Sequence, residues 1–463
     1  MSLLRHSDTI AAIATPMGIG SIAIIRISGT ETVAILKQMT PLNEFEPNTI
    51  RLTKIIGANQ VLLDSALVSF FKAPFSYTGE DVAEINSHGG YVVAKSILDR
   101  LLQLGTRLAD KGEFTQRAFL NGKLDLLQAE AVIDMIEART QKTSSVFLGQ
   151  LKGHLSTAIA PLRHTLLELV GHFEVHLDYP EEVDLQTPEE YLSLLQTWME
   201  RTDKLLNSFE GGRLYREGVL VVIAGKPNVG KSSLLNTLLK ENRVLVSDIP
   251  GTTRDTIEEW VQLEDIPIRL VDTAGIREMT TDRVEAMGID KARDLIKEAD
   301  WLILVLDVLE GLNDDDKSLL RSTASQNRII VINKLDIYPN HESEMRIFLD
   351  QQGIAPNRIV SLSLKTPVGI DELRRTLAQN IQEVTFQGAQ SDGPVIANIR
   401  QKEKLWQAKQ AVLRSISSIE AGYPEDFWVI DLRKAIESLG EMTGENVSDE
   451  ILTHIFSRFC VGK

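Results

Sequence analysis

The segment GKPNVGKS, Gly225 to Ser232, constrains this chain more than any other feature. It follows the apolar run VLVVIA and leads into SLLNTLL, so its G-x-x-x-x-G-K-[ST] spacing sits in a strand–loop–helix setting. Its glycines let backbone N–H groups turn toward a phosphate, and the helix N-terminus behind them adds the positive end of a dipole. Lys231 brings a point charge for the β- and γ-phosphates, and Ser232 a hydroxyl for Mg²⁺. Val229, Gly230 and Ser233 complete the predicted cradle. Without its flanks the pattern is an ordinary glycine turn ahead of a helix. With them it predicts a nucleotide-binding α/β domain.

Three later motifs name the nucleotide. DTAG, Asp272 to Gly275, ends the next long strand. Asp272 can hold Mg²⁺ through water and the Gly275 N–H can meet a γ-phosphate, with Thr273 and Ala274 between them. NKLD, Asn333 to Asp336, follows the strand RIIVI. A carboxylate such as Asp336 accepts two hydrogen bonds from the N1–H and N2–H₂ edge of guanine, which adenine does not offer. Lys334 would cover the ring face. Ser363, Leu364 and Lys365 supply a final base-contacting loop. The order of the motifs predicts GTP rather than ATP.

Between the first two motifs lies DIPGTTRD, Asp248 to Asp255. Thr253 is the natural second hydroxyl on Mg²⁺, and the segment from Asp248 through Ile249, Pro250, Gly251 and Thr252 is the switch that a γ-phosphate would order. The position after DTAG holds Ile276, where Ras-like enzymes carry a water-positioning Gln. An isoleucine cannot orient water, so another group must. Charge between the β- and γ-phosphates also needs an offset. Asn228 carries two readings: a turn former after Pro227, or an oxygen ligand that, with switch-loop carbonyls, holds a monovalent cation at the place of an arginine finger.

Around this domain the texture changes. At 463 residues the chain is too long for one ordinary core. Residues 1–120 mix β-rich runs such as SIAIIRISG and LVSFF with turn signals, a small α+β pattern. From about Leu124 it turns helical, with Leu151, Leu155, Leu162, Leu166, Leu169 and Phe173 forming one apolar stripe. Pro188 and the two glutamates after it predict a helix start. Residues 216–384 alternate strands (VLVVIAG, IRLVDTAG, WLILVLDV, RIIVINKLD, RIVSLSLK) with helices, as a doubly wound parallel sheet does. The chain is then helical again, which suggests one helical domain, residues 121–215 and 385–463, with the sheet domain inserted.

Composition sets outer limits. A formal net charge of −16 argues against coating nucleic acid non-specifically, because phosphate attraction needs clustered Lys and Arg. The apolar runs are strand-length, well short of the roughly 20 residues that span a bilayer. One cysteine, Cys460, excludes an intramolecular disulfide framework. No secretory leader pattern opens the sequence, and a cytoplasmic setting is expected.

With these motifs in hand, the chain closely resembles the tRNA uridine-modification GTPase family called MnmE or TrmE. The segments that carry the resemblance run the length of the chain: ATPMGIGSIAIIRISG, YTGEDVAEINSHGG, GEFTQRAFLNGKLDLLQAEA, PGTTRDTIEE, VDTAGIRE and the terminal FCVGK. The resemblance implies a multidomain α/β protein with an N-terminal α+β folate-binding domain, a central helical domain and an inserted Ras-like P-loop GTPase domain. It implies a homodimer through the N-terminal domains that binds 5-formyl-tetrahydrofolate, with G domains that meet under potassium and GTP. With the flavoprotein partner MnmG, the family adds an aminomethyl or carboxymethylaminomethyl group to carbon 5 of the wobble uridine of certain tRNAs.

Carried onto this sequence, the family's potassium ligands are Asn228, Ser247, Ile249 and Thr252, and its water-orienting glutamate is Glu285. Its folate positions are Arg26, Glu84, Lys123 and Lys463. A pterin presents a donor-and-acceptor edge that a carboxylate can pair with, and a glutamyl tail calls for Lys or Arg. Without the family, Glu285 reads as an exposed helix acid and FCVGK as a frayed end. Two other functions fit the P-loop domain: a ribosome- or RNA-binding switch without modification activity, and a GTP-regulated one-carbon transferase acting on a metabolite. No GXXG-bearing basic module of the KH type follows the G domain, which disfavours the switch.

Overall fold

The computed structural model describes residues 8–179, 187–242, 258–273, 285–309, 312–337, 341–366, 368–385 and 393–463. The chain divides into two compact units, one of residues 1–133, 150–192 and 407–463, the other of residues 134–149 and 193–406. Among the described residues each holds one six-stranded sheet.

In the first unit the strands are β1 (Ile10–Ile13), β2 (Ile22–Ser28), β3 (Thr49–Ile56), β4 (Leu62–Phe71), β5 (Val82–His88) and β6 (Arg107–Leu108), ordered β3-β4-β5-β2-β1-β6. Only β1 and β6 pair in parallel. Side chains on a strand alternate between faces. Ala23, Ile25 and Ile27 of β2 and Ala83 and Ile85 of β5 therefore share one core with Ile35, Leu36, Ile97 and Leu101 of the helices Thr32–Met39 and Tyr91–Gln103. The residues between them, Arg26 and Glu84, fall on the other face and stand directly opposite each other in register. A slip of one residue would turn the charge of the slipped strand into the core and part the pair.

The first unit also holds the helices His154–Asp178 and Glu425–Thr443, which pack together from far-apart parts of the sequence. Phe173, Tyr191 and Trp428 meet between them, with ring centroids 4.9 Å and 5.5 Å from Phe173. The expected apolar stripe differs in one respect. Leu151 ends the helix Gln141–Leu151, and the remaining stripe residues belong to His154–Asp178. Gly153 divides the two with φ of +86°, a left-handed turn that costs glycine nothing. The helix expected at Pro188 runs Pro188–Asn207, and Thr187 and Glu190 cap it reciprocally.

In the second unit β7 (Val219–Ala224), β8 (Glu258–Leu263), β9 (Ile266–Asp272), β10 (Trp301–Asp307), β11 (Arg328–Asn333) and β12 (Ile359–Ser361) are ordered β12-β11-β10-β7-β9-β8. All neighbours are parallel except β8 with β9. The central strands are buried on both faces, which is why they read as unbroken apolar runs. Val221, Ile223, Ile303, Val305 and Val331 fill the core on one side, and Val222, Leu302, Leu304, Ile330 and Ile332 the core on the other. Strand order reverses around β7, and the crevice beyond the carboxyl ends of strands at such a reversal is where doubly wound sheets bind ligands. Among the described residues, no helix is long and apolar enough to cross a membrane.

Candidate functional site

The loop Gly225–Gly230 leaves the end of β7 and enters the helix Lys231–Asn242. Gly225 has φ of +150°, and a Cβ there would stand 2.5 Å from the Val305 carbonyl oxygen. Gly230, at φ +103°, would meet the Asn333 side chain at the same distance. These two positions accept only glycine, so the spacing of the motif is a packing requirement as well as a phosphate one.

Lys231 is almost fully buried, and its Nζ donates to the Lys226 carbonyl oxygen at 2.6 Å. Ser232 Oγ donates to Asp272 Oδ2 at 2.6 Å. A hydroxyl and a carboxylate thus meet at the carboxyl ends of β7 and β9, the donor set that Mg²⁺ takes. Thr273 Oγ1 donates to the Ile223 carbonyl oxygen at 3.1 Å, which ties the start of the DTAG loop to β7. Val229 is buried, and Ser233 is exposed in the first turn of the helix.

On the other side of β7, Asn333 Nδ2 donates to the Val229 carbonyl oxygen at 2.8 Å, joining the NKLD segment to the phosphate loop. Lys334 adopts φ of +69° and pairs with Asp307 at the end of β10. Asp336 Oδ1 accepts from Ser363 Oγ at 2.7 Å, and Ser363 Oγ accepts from the Thr366 N–H at 3.3 Å. Leu364 packs against the core beside Gly230, and Lys365 is exposed. Val229, Gly230, Lys231, Ser232, Asp272, Thr273, Asn333, Asp336, Ser363 and Leu364 therefore converge on one edge of the sheet. Sequence reasoning passed over Asp307; the only signal was a carboxylate at the end of the run WLILVLD.

Asn228 is exposed at the tip of the loop with φ of +62°. Asparagine tolerates this left-handed conformation better than most residues. The turn geometry alone accounts for its presence. Ser247, Asp248, Ile249, Pro250, Gly251, Thr252, Thr253, Ala274 and Gly275 lie outside the described residues. Glu285 begins the helix Glu285–Glu298, and its side chain also lies outside them.

A second constellation occupies the first unit. Arg26 Nε and Nη2 both donate to Glu84 Oε1, at 2.9 Å and 2.8 Å, and Nη1 donates to the Gly462 carbonyl oxygen at 3.2 Å. The guanidinium lies 5.6 Å from the ring centroids of both Tyr77 and Phe114, which fall in the segments YTGEDVAEINSHGG and GEFTQRAFLNGKLDLLQAEA but had no role assigned there. Lys463 is held by a hydrogen bond from the Phe114 N–H to its carbonyl oxygen at 3.2 Å. Burial first, and the Arg26 charge second, lower the pKa of its amine, against an opposing pull from Glu84.

The terminal FCVGK is thus docked rather than frayed. Val461 also bridges to Lys111, and Gly462, at φ +96°, leaves no room for a Cβ beside the Ile13 carbonyl oxygen. Lys123 is apart from this group. Its Nζ donates to the Pro74 carbonyl oxygen at 3.0 Å, on the loop that carries Tyr77. Arg26, Glu84 and Lys463 come together, with two aromatic faces, an acceptor and several donors around them. That set suits a flat heterocycle bearing an anionic tail.

The model described as "GTP-binding protein TrmE N-terminus" matches residues 9–123, and the one described as "MnmE helical domain" matches residues 126–460. A protein of Oceanobacillus iheyensis named "tRNA modification GTPase MnmE" is 43% identical, over 99% of this chain and 100% of that one. Its namesakes in Bacillus subtilis and Enterococcus faecalis are 42% and 41% identical, over 98% and 100% of this chain and the full length of each. Among solved structures, the G domain of the T. maritima FeoB iron transporter aligns at 26% identity over 35% of this chain and 99% of that one, with a TM-score of 0.27. Era from Aquifex aeolicus, bound to GDP and AlF4⁻, aligns at 25% identity over 42% and 66%, with a TM-score of 0.29. By full-length identity to these relatives and by both matching models, the chain belongs to the MnmE family of tRNA modification GTPases.

Proposed function

We propose that this enzyme is a potassium-activated GTPase that works as a homodimer with the flavoprotein MnmG. Together they add a carboxymethylaminomethyl or aminomethyl group to carbon 5 of the wobble uridine of certain tRNAs, in the cytoplasm. In this reading residues 1–120 bind folate and dimerise, residues 216–384 form the GTPase domain, and residues 121–215 and 385–463 are the two parts of a helical domain.

One observation carries the GTPase half: phosphate-handling and base-handling residues are joined by the bond from Asn333 to the Val229 carbonyl. In the proposed mechanism Lys231 and the loop N–H groups hold the β- and γ-phosphates, and Asp336 reads guanine. Ser232 and Thr253, with Asp272 through water, would hold Mg²⁺, which offsets phosphate charge. Asn228, Ser247, Ile249 and Thr252 would hold K⁺, which supplies positive charge between the β- and γ-phosphates. Glu285 orients the attacking water. Meeting of two G domains completes the site.

In the first unit Arg26, Glu84, Lys123 and Lys463 would hold 5-formyl-tetrahydrofolate. The pairing of Arg26 with Glu84, capped by the docked C-terminal tail, supports this part of the reading. The test is reconstitution from purified chain, flavoprotein partner with its flavin and a hydride donor, unmodified tRNA, a one-carbon tetrahydrofolate, ammonium or glycine as the amine donor, GTP and potassium. Modified uridine should form, and fail to form when GTP or this chain is left out. Product formed without GTP would overturn the proposal.

A further inference from the structure

The phosphate loop has little regular structure to hold it. Gly225 and Asn228 both take positive φ, and no strand ladder reaches the residues between them. Its far end is tethered by Asn333. Its near end is tethered by a residue the nucleotide motif leaves unspecified. Lys226 Nζ lies 2.6 Å from Asp316 Oδ2, with side-chain exposures of 14% and 5%.

Asp316 is itself fixed. It stands in the first turn of the helix Asp314–Ser322, in a capping box with Asn313. Asn313 Oδ1 accepts from the Asp315 and Asp316 N–H groups at 3.0 Å and 3.2 Å, and Asp316 Oδ2 accepts from the Asn313 N–H at 3.3 Å. One carboxylate oxygen therefore closes the helix cap and receives the loop lysine. The backbone carbonyl of that same Lys226 accepts from Lys231 Nζ. The line of contact runs from a rigid helix end through the Lys226 side chain to its carbonyl, and from there to the phosphate-binding ammonium.

We propose that Asp316 is a positioning residue of the nucleotide site, acting through Lys226 to fix the carbonyl that aims Lys231. This inference rests on the reading of Gly225–Ser232 as a phosphate cradle. A largely buried ion pair anchored to a helix cap contributes placement more than net stability. Placement of the loop acts on phosphates in the ground state and the transition state alike, so its loss raises KM and leaves kcat.

The experiment uses the full-length chain in potassium buffer, with GTP turnover and release of a fluorescent GDP analogue as readouts. Asp316→Asn keeps an acceptor for the helix cap and removes the charge. It should raise KM and speed GDP release about tenfold while kcat stays within about twofold of wild type. Lys226→Met should do the same, and Lys226→Arg, which keeps the pair, should hold KM near the wild-type value. Unchanged KM and release in Asp316→Asn would overturn the inference. So would a lowered melting temperature and raised KM in Lys226→Met that Lys226→Arg does not restore, because the pair would then serve folding alone. Failure of the wild type itself to bind the GDP analogue would overturn the cradle reading, and this inference with it.

Discussion

Asn333 Nδ2 donates to the carbonyl oxygen of Val229 across 2.8 Å, although the two residues are 104 apart in sequence. Both are nearly inaccessible to solvent. The bond fixes the NKLD segment to the Gly225–Ser232 loop, so the groups proposed to meet the two ends of one nucleotide are held at a set separation. Replacing Asn333 with Ala leaves the Val229 carbonyl buried without this donor, at a cost of about 1–3 kcal/mol. GTP affinity should fall about tenfold to a hundredfold, as read by equilibrium titration with a fluorescent analogue. An unchanged affinity would mean the bond is incidental.

Hydrolysis should depend on which monovalent cation is present. At equal ionic strength the GTPase rate in potassium should exceed that in sodium by at least about tenfold, since in the proposed reading the bound cation does the work of an arginine finger. Asn228→Ala should abolish the difference. Equal wild-type rates in the two salts would leave Asn228 as a turn former and nothing more.

Lys463 gives the proposed folate site a pH signature. Burial, followed by the Arg26 charge, lowers its pKa below that of an exposed lysine. A lowered pKa on a base means the amine is charged below that value and neutral above it. Affinity for formyl-tetrahydrofolate, read by calorimetry, should therefore fall as pH rises, and should do so at lower pH than an exposed lysine would allow. Lys463→Met should bind more weakly near neutral pH and show a flatter profile. Parallel profiles would remove Lys463 from the site.

A buried ion network holds the sheet of the same unit. Arg117, almost fully buried, pairs with Glu113 at 3.0 Å, Asp8 at 2.9 Å and Glu80 at 3.1 Å. Burial alone would raise the pKa of Glu113, but hydrogen bonds from Arg107, the Asp110 N–H and Arg117 together lower it. A depressed carboxylate pKa contributes stability above its unfolded value and loses it as pH falls through the folded one. Acid unfolding of this unit, followed by circular dichroism, should thus begin only below about pH 4. Arg117→Met removes one of the cations that hold Glu113, while Arg107 and the Asp110 N–H remain, and should cost about 1–3 kcal/mol in denaturant unfolding and bring acid unfolding to higher pH. A loss below about 1 kcal/mol, typical of a surface pair, would contradict the reading.

The parts of the fold legible in the sequence were those whose chemistry restricts residue type and spacing together. A strand buried on both faces must be apolar throughout, so β7, β10 and β11 stood out. The edge strand Glu258–Leu263 did not, because an edge with one wet face tolerates EEWVQL. Its tight turn at Glu264 and Asp265, both at positive φ, carried no glycine to mark it. Arg26 and Glu84 came from a family resemblance, whereas their pairing depends on the register of β2 against β5, which no local pattern specifies. The terminal FCVGK read as a loose end because what holds it, Arg26 and Phe114, is hundreds of residues away. Tyr77 and Phe114 were missed for the same reason: an aromatic residue in a loop or helix looks like core until its neighbour across the fold is known.

Nucleoside mass spectrometry of tRNA tests the central claim most directly. Cells lacking this protein are complemented with the wild-type chain or with Asp336→Asn, and the modified wobble uridine is quantified. The aminomethyl-type nucleoside should vanish without the protein, return with the wild type, and stay low with Asp336→Asn. A tRNA profile unchanged by loss of the protein would contradict that claim.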